Sequence, residues 1–440
     1  MDSRRPIPRF RPSIPGAARY CATLLCTTLF CAACGAGADR TNETSRWTAA
    51  VDTVGDTVIV ETVSGQVWDG DRRLVSEVSI GVLDGAPEYQ FGNVRAFDVD
   101  DAGRMYVYDA HGPVLRVYAP DGSWLRDIGR EGEGPGEYKQ PDSGLAILPD
   151  GRVAIRDPGN GRITFYAPDG EYDGFYRIAG SFNTSNPMIA DTSGTLATPI
   201  VTNLGTSVFE WKSGHARYYL DGTVDTVETP DLGYEEAQIS AEREGSMSVN
   251  SVPFSPQQVS AWSPFGYYIV GVNEDYQFDL LKPEGVLRIR KQYEPVPVDP
   301  GEAAAERESA TENFRQSYPG WKWNGPPIPG VKPAYMEVYP ARDGRIWVRV
   351  PAPSERYMDA EEQKAEEERL GHAVNPYREP VRFDVFESTG EYLGRVIAPD
   401  GFAGRYPKPV FRGDTVWAIM RDEYDVQRLH RFRLEPVAAH

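Results

Sequence analysis

The sequence predicts an all-β chain, a six-bladed β-propeller closed by N- and C-terminal strands in one blade, with two short helical insertions on one face. Three observations predict it. A four-strand unit recurs along the 440 residues, its hairpin turns carry Asp-Gly or a close variant, and a strand left over near the N-terminus supplies the strand missing at the C-terminus.

The clearest unit spans residues 94–129. Residues 94–99 and 104–109 are rich in β-branched and aromatic side chains and flank a turn at Asp100-Asp101-Ala102-Gly103. Residues 114–118 and 123–128 flank a second turn at Pro120-Asp121-Gly122, so the unit reads as four antiparallel strands joined by glycine-containing hairpins. The next begins at Leu145 and repeats the grammar with Asp150-Gly151, residues 153–157 and 162–166, and Asp169-Gly170. Further units begin near Met188, Val259 and Met336. Their first turns are Ser193-Gly194, Phe265-Gly266 and Asp343-Gly344, and their second are Asp221-Gly222, Glu284-Gly285 and Thr389-Gly390. A sixth starts near Pro409 with Gly413-Asp414 and residues 416–420 and 427–434, and the chain ends before its fourth strand. Residues 74–81, followed by Asp84-Gly85-Ala86-Pro87-Glu88-Tyr89, parallel 124–129 followed by Gly134-Pro135-Gly136-Glu137-Tyr138. The N-terminal strand therefore completes the C-terminal blade, and closure removes the free edges an open sheet would leave.

The N-terminus predicts the compartment. Arg4, Arg5, Arg9, Arg11 and Arg19 precede an apolar run over 20–33 that is too short to span a bilayer, which is the pattern of a signal peptide. Cys21, Cys26, Cys31 and Cys34 are the only cysteines, so the mature domain holds neither a disulfide framework nor a Cys-based metal site. The stretch Leu29-Phe30-Cys31-Ala32-Ala33-Cys34-Gly35 resembles the lipobox of bacterial lipoproteins, with Cys31 where that motif carries an aliphatic residue. The resemblance implies cleavage before Cys34 and lipidation of it; an ordinary secretory signal cleaved after Ala33 is the other reading. The expected organisation is a signal peptide over 1–33, lipidated Cys34 with a flexible tether over 34–50, and the propeller over 51–440. The formal charge of −19 becomes −23 once residues 1–33, with five Arg and one Asp, are removed. Nucleic acid and anionic lipid surfaces are thereby disfavoured as partners.

Asp-Gly-Arg, a strand ending in Asp, a second Asp-Gly and then Gly132-Glu133-Gly134-Pro135-Gly136-Glu137-Tyr138 together resemble six-bladed propellers of the NHL-repeat type. In particular they resemble a bacterial lipoprotein group with a Gly-x-Gly-Pro-Gly-Glu-aromatic motif. The resemblance covers residues 74–180 well and the remainder in turn spacing. It implies a fold and a cell-envelope location, on the periplasmic or surface side of either membrane, and no particular reaction.

In a propeller, the loops that cross between blades and those joining strands 2 and 3 lie on one face. Residues 229–257 and 294–334 are expected to cross between blades, and 351–380 to join strands 2 and 3 of the fifth, so every long insertion falls on that face. Residues 301–317 read as a helix stopped by Pro319-Gly320, and 359–370 as a second, with Asp359 as its cap and Gly371 as its terminator. Candidate contacts on the loop face are Glu137, Tyr138, Tyr318, Trp321 and Trp323. For the last three, packing of the insertion competes with an aromatic platform for sugars or peptides, and for Glu137 bonding to backbone N–H groups competes with a ligand contact. Candidate contacts at the pore mouth are Asn93, Arg95, Asp142, Asn186, Gln258, Glu337 and Lys408, each weighed against a structural role. Asp109 and Asp157 are read as turn-capping residues.

No catalytic residue is assigned. His111, His215, His372, His430 and His440 show no clustered spacing, and neither a Gly-x-Ser-x-Gly elbow nor a Cys nucleophile occurs in the mature part. The expected function is a non-catalytic binding or scaffold propeller, monomeric, anchored through lipid and taking a protein, peptide or glycan on its loop-rich face. The alternative is a calcium-dependent hydrolase or lactonase. No cofactor is expected under the first reading, and calcium, which prefers six to eight oxygen ligands, under the second.

Overall fold

The computed structural model describes residues 46–179, 186–203, 211–243, 246–422 and 424–437. Among the described residues the regular secondary structure is strand apart from two α-helices and one 3-10 turn, and the strand pairing resolves into six four-stranded units. The first comprises Val94–Val99, Met105–Asp109, Val114–Tyr118 and Trp124–Ile128, and the second Leu145–Ile147, Val153–Asp157, Arg162–Tyr166 and Tyr172–Arg177. The third runs from Ile189–Ala190 to Val224–Glu228, the fourth from Gln258–Trp262 to Gly285–Lys291, and the fifth from Glu337–Pro340 to Tyr392–Ile397. The sixth pairs Val410–Arg412, Thr415–Arg421 and Gln427–Pro436 with an N-terminal strand. Numbered from the N-terminus, β1 is Thr48–Val54, β2 is Thr57–Ser64 and β3, the closing strand, is Arg72–Ile80. The closure therefore follows the reading of the repeats, with Leu74 opposite Leu434 and Ile80 opposite Leu429.

The repeated turns have a local cause. At the first unit's outer hairpin, Gly122 sits at φ +89 and its N–H donates to Ala119 O at 2.9 Å. The Asp121 carboxylate takes the N–H and hydroxyl of Ser123. A Cβ on Gly122 would meet a Val78 methyl at 2.9 Å, so both conformation and space require glycine.

Alternation in the strands places apolar side chains on both faces of each unit, and neighbouring units share them. One buried cluster joins the first unit to the second through Tyr106, Leu115, Tyr138 and Ile155, and another joins the fifth to the sixth through Trp347, Phe383, Phe411 and Phe432. Equivalent clusters join each remaining pair, including the sixth to the first through Ile80, Val107, Trp417 and Leu429, so the units form a closed ring. The smallest lies between the third and fourth units, where Ala197, Trp262, Tyr268 and Val270 are its buried members.

Two features depart from expectation. The tether expected up to residue 50 is shorter, because Thr48–Val54 is already strand β1, paired with β2. This hairpin adds in parallel to the outer strand of the fourth unit, with Val60 beside Ile289, which buries Val60 and Thr62. Weak repeat identity in this part of the sequence hid it. Both helices occur as expected. Helix α1, Pro300–Ser317, is capped by Asp359's counterpart Asp299, and α2, Ala360–Leu370, has a full capping box of Asp359 and Glu362 and ends on Gly371 at φ +74.

Candidate functional site

The innermost strands face a common cavity of about 280 Å³. Its floor is on the Asp-Gly side. There the Arg342 guanidinium of the fifth unit reaches across to the Asp98 carboxylate and the Val99 carbonyl of the first. Asp98 also accepts from Ile147 N–H of the second unit at 2.7 Å, so three units meet at one carboxylate. Burial pushes the Asp98 carboxyl up from its ordinary value, and the Arg342 charge and the N–H groups of Ile147 and Val99 oppose that.

The cavity extends into the joint between the third and fourth units, where the shared core is thinnest. His215 stands in that wall on strand Lys212–Tyr218, its ring stacked 5.3 Å from Trp262 and its Nδ1 2.8 Å from the Tyr268 hydroxyl. Burial, with a smaller contribution from the Lys408 charge, pulls His215 down to about 4, so the imidazole is neutral at physiological pH. Lys408 enters from the sixth unit. Its Nζ lies 2.9 Å from Glu337 and 5.9 Å from the centre of the Tyr339 ring, and the Tyr339 hydroxyl is 2.6 Å from both Glu337 and the Gly404 carbonyl.

The long insertions pack against one another rather than standing apart. Phe314 and Tyr318 of the α1 region bury against Ile239, Ala241 and Val252 of the 229–257 crossing, with Trp321 stacked on Phe314 at 4.4 Å. Lys332 then gathers all three. Its buried Nζ lies within hydrogen-bond distance of four acceptors for its three N–H groups, Glu302 at 3.1 Å, Glu379 at 2.6 Å, Ser354 Oγ at 2.7 Å and Ala352 O at 3.1 Å, and 5.4 Å from the centre of the Phe254 ring. Helix α1 also meets the 351–380 insertion, since Glu306 accepts from Asn375 and Glu312 from Ala373 N–H.

Of the pore-mouth candidates, Asn186 and Lys408 line the cavity and Glu337 holds Lys408. Asn93 is exposed at the start of its strand and Arg95 is half-buried beside it. Gln258 is engaged in fixing the 229–257 crossing, accepting from Leu232 N–H and donating to Pro230 O. Asp142 departs from the expected mouth position: it is 1% exposed, paired with the equally buried Arg156, and accepts from Gly144 N–H.

On the loop face, Glu137 accepts from Gly134 N–H at 2.8 Å and from Arg130 at 2.8 Å, the backbone-bonding role weighed in the sequence. Tyr138 is a correction. Expected as a surface contact, it is fully buried between the first two units, donating to Ile128 O and accepting from Leu115 N–H. Its ring is drawn inward because the crossing turns sharply at Gly136, at φ +70. Tyr318 is 8% exposed and bonds Ser246 and Ser248, Trp321 donates to Ser240 O, and Trp323 donates to Gly325 O, so all three pack the insertions. Asp109 takes the N–H groups of Gly92, Asn93 and His111, and Asp157 those of Lys139, Gln140 and Asn160; both clasp an incoming crossing as well as their own turn. Cys34 lies outside the described residues. Among the described residues no group of three or more His, Cys, Asp or Glu is placed to hold a metal ion.

Sequence reasoning missed His215, Trp262, Arg342 and Lys332. His215 and Trp262 meet only where the third and fourth units pack, Arg342 reaches Asp98 only across the closed ring, and Lys332 gains its partners only when the insertions converge.

These features define a β-propeller with a capped face and a central cavity. No protein-family model matches the sequence, and no curated protein matches it either. Similarity appears among solved structures. A DUF4221-family protein from Bacteroides vulgatus is 10% identical with a TM-score of 0.51, over 84% of this chain and 99% of that one, and it supports the fold alone. A candidate exported protein from Bacteroides fragilis is 11% identical with a TM-score of 0.42, over 83% and 95% of the two chains. Virginiamycin B lyase from Staphylococcus aureus is 10% identical with a TM-score of 0.38, over 83% and 100%.

Proposed function

We propose that this chain is a non-catalytic binding propeller of the NHL-repeat type, exported and anchored in the cell envelope through Cys34, whose capped face receives a protein, peptide or glycan. The observation that carries the reading is the convergence of the long insertions on Lys332, which bonds Glu302 of 294–334 and Ser354 and Glu379 of 351–380 and lies against the Phe254 ring of 229–257. Ring closure needs none of that material, since the first two units are joined by short crossings. Surface built beyond the needs of folding, and fixed by a buried ion cluster, is what presentation of a stable recognition face requires. The basic and apolar N-terminus supports export, and the Cys34-Gly35 pair supports the anchor.

One experiment addresses both parts. The full chain and a form with residues 351–380 replaced by a short turn are screened against peptide and glycan arrays, with Cys34→Ala fractionated alongside. Binders lost on replacing the insertion, with the unfolding midpoint of the ring retained, support the reading, as does release of Cys34→Ala from the membrane fraction. Binders indifferent to the replacement sink the face assignment, and a Cys34→Ala protein that stays in the membrane sinks the anchor.

A further inference from the structure

We propose that the central cavity is itself a binding site for a small organic carboxylate, with Lys408 taking the carboxylate and the wall between the third and fourth units taking an apolar or aromatic body. This site lies within the ring, with Thr229 as the one lining residue from the capping insertions, and the proposal does not depend on what the capped face binds.

Size sets the first limit. A dry engineered cavity of about 150 Å³ accommodates benzene. At about 280 Å³ the central cavity accepts a one- or two-ring compound, and Ser213 and Ser260, both exposed on its rim, leave a way in.

Charge sets the second. The chain as a whole is strongly acidic, at −19, yet the charge that remains visible inside the cavity is basic. The Arg342 side chain is 30% exposed while its partner Asp98 is 5% exposed. Lys408 lines the cavity at 25% exposure, whereas its partner Glu337, at 20%, is not among the lining residues. Arg342 is held by both Asp98 and the Val99 carbonyl, which fixes it as floor. Lys408 has one carboxylate partner, and Glu337 keeps the Tyr339 hydroxyl if the ammonium turns inward. Lys408 is thus the cation able to exchange partners, and a ligand carboxylate regains for it a charge-assisted hydrogen bond.

The wall sets the third. Met188, Ile200, Trp262 and Phe411 offer apolar and aromatic surface, and His215 adds a polar nitrogen without adding charge at neutral pH. A cationic ligand would lie beside Lys408 and Arg342 and would find the neighbouring carboxylates, Glu337 and Asp98, already paired. A neutral one would cover Lys408 and leave its charge with less water, at a cost.

The test uses the full chain in detergent, titrated calorimetrically with benzoate, benzyl alcohol and benzylamine. Benzoate is expected to bind roughly tenfold or more tightly than benzyl alcohol, the effect of one charge-assisted hydrogen bond, and benzylamine not to bind measurably. Lys408→Gln should bring benzoate level with benzyl alcohol, and Ser260→Trp, which fills the rim, should abolish both while keeping the unfolding midpoint. Because Lys408→Gln also breaks the Glu337 pair, added salt gives a second readout on the unaltered protein: it should weaken benzoate and spare benzyl alcohol. Equal binding of the acid and the alcohol, binding that survives Ser260→Trp, or no binding of any probe at millimolar concentration would each overturn the proposal.

Discussion

The first two units and the third to fifth hold their crossings in opposite ways. Between the first and second units, the segment from Gly129 to Gly144 is fixed by single polar side chains aimed at backbone: Asp157 at two N–H groups, Arg162 at the carbonyls of Gly134 and Glu137, and Tyr166 at Gly136 O. Beyond the third unit the crossings carry a helix, a hairpin and a small core of their own, and they converge on one lysine. Short crossings need only be pinned to the ring. Long ones must bury a core and satisfy its polar edge, and in return they build a surface. The comparison predicts that damage stays local in the first region and spreads in the second.

The largest test of that contrast is Lys332→Met. The substitution leaves Glu302 and Glu379 buried without their cation, and removing one partner of a buried pair costs about 3–5 kcal/mol. The expected outcome is early protease cleavage in 229–257, 294–334 and 351–380 together, while the hairpin face stays protected. Cleavage confined to one insertion would mean that the three are not coupled through Lys332.

The joint between the third and fourth units, where the cavity enters, gives the next test. His215 is held near 4 in the folded chain against an ordinary value of 6.5, so between these values the unfolded chain binds the extra proton. Stability from keeping His215 neutral is therefore complete above about 6.5 and declines as pH falls toward 4, by roughly 2–4 kcal/mol. His215→Gln should make the fall shallower. His430, also pulled down to about 4 by burial and then by the Arg428 charge, remains as a second source of acid sensitivity. Parallel stability curves for the two proteins between pH 4 and 7 would show that His215 is not buried as described.

How far the sequence foretold each region follows from the same physics. Turn chemistry is local, and so the Asp-Gly hairpins, the strand that closes the ring and the two caps of α2, Asp359 and Gly371, could be read from neighbouring residues. The role of Glu137 was also within reach, because its backbone partner Gly134 is three positions away. Lys332 was not, since its partners Glu302, Ser354 and Glu379 are brought to it by tertiary packing. The same holds for Arg342, which meets Asp98 only across the closed ring. Tyr138 was placed on the wrong side of the boundary because a Gly- and Pro-rich crossing resembles a surface loop, and nothing local marks the one aromatic residue that turns inward.

That residue supplies the smallest and most local test. Tyr138→Phe keeps the ring that packs on Tyr108 at 5.8 Å but removes the hydroxyl between Leu115 N–H and Ile128 O. Both backbone groups lie in the buried joint, and leaving them unpartnered costs about 1–3 kcal/mol. Because the crossing remains pinned by Asp157 and Arg162, loss of amide-exchange protection should stay near Leu115 and should not reach the insertions. If instead Tyr138→Phe loosens the capped face as Lys332→Met does, the two regions share one cooperative unit, and the division between pinned and self-supporting crossings fails.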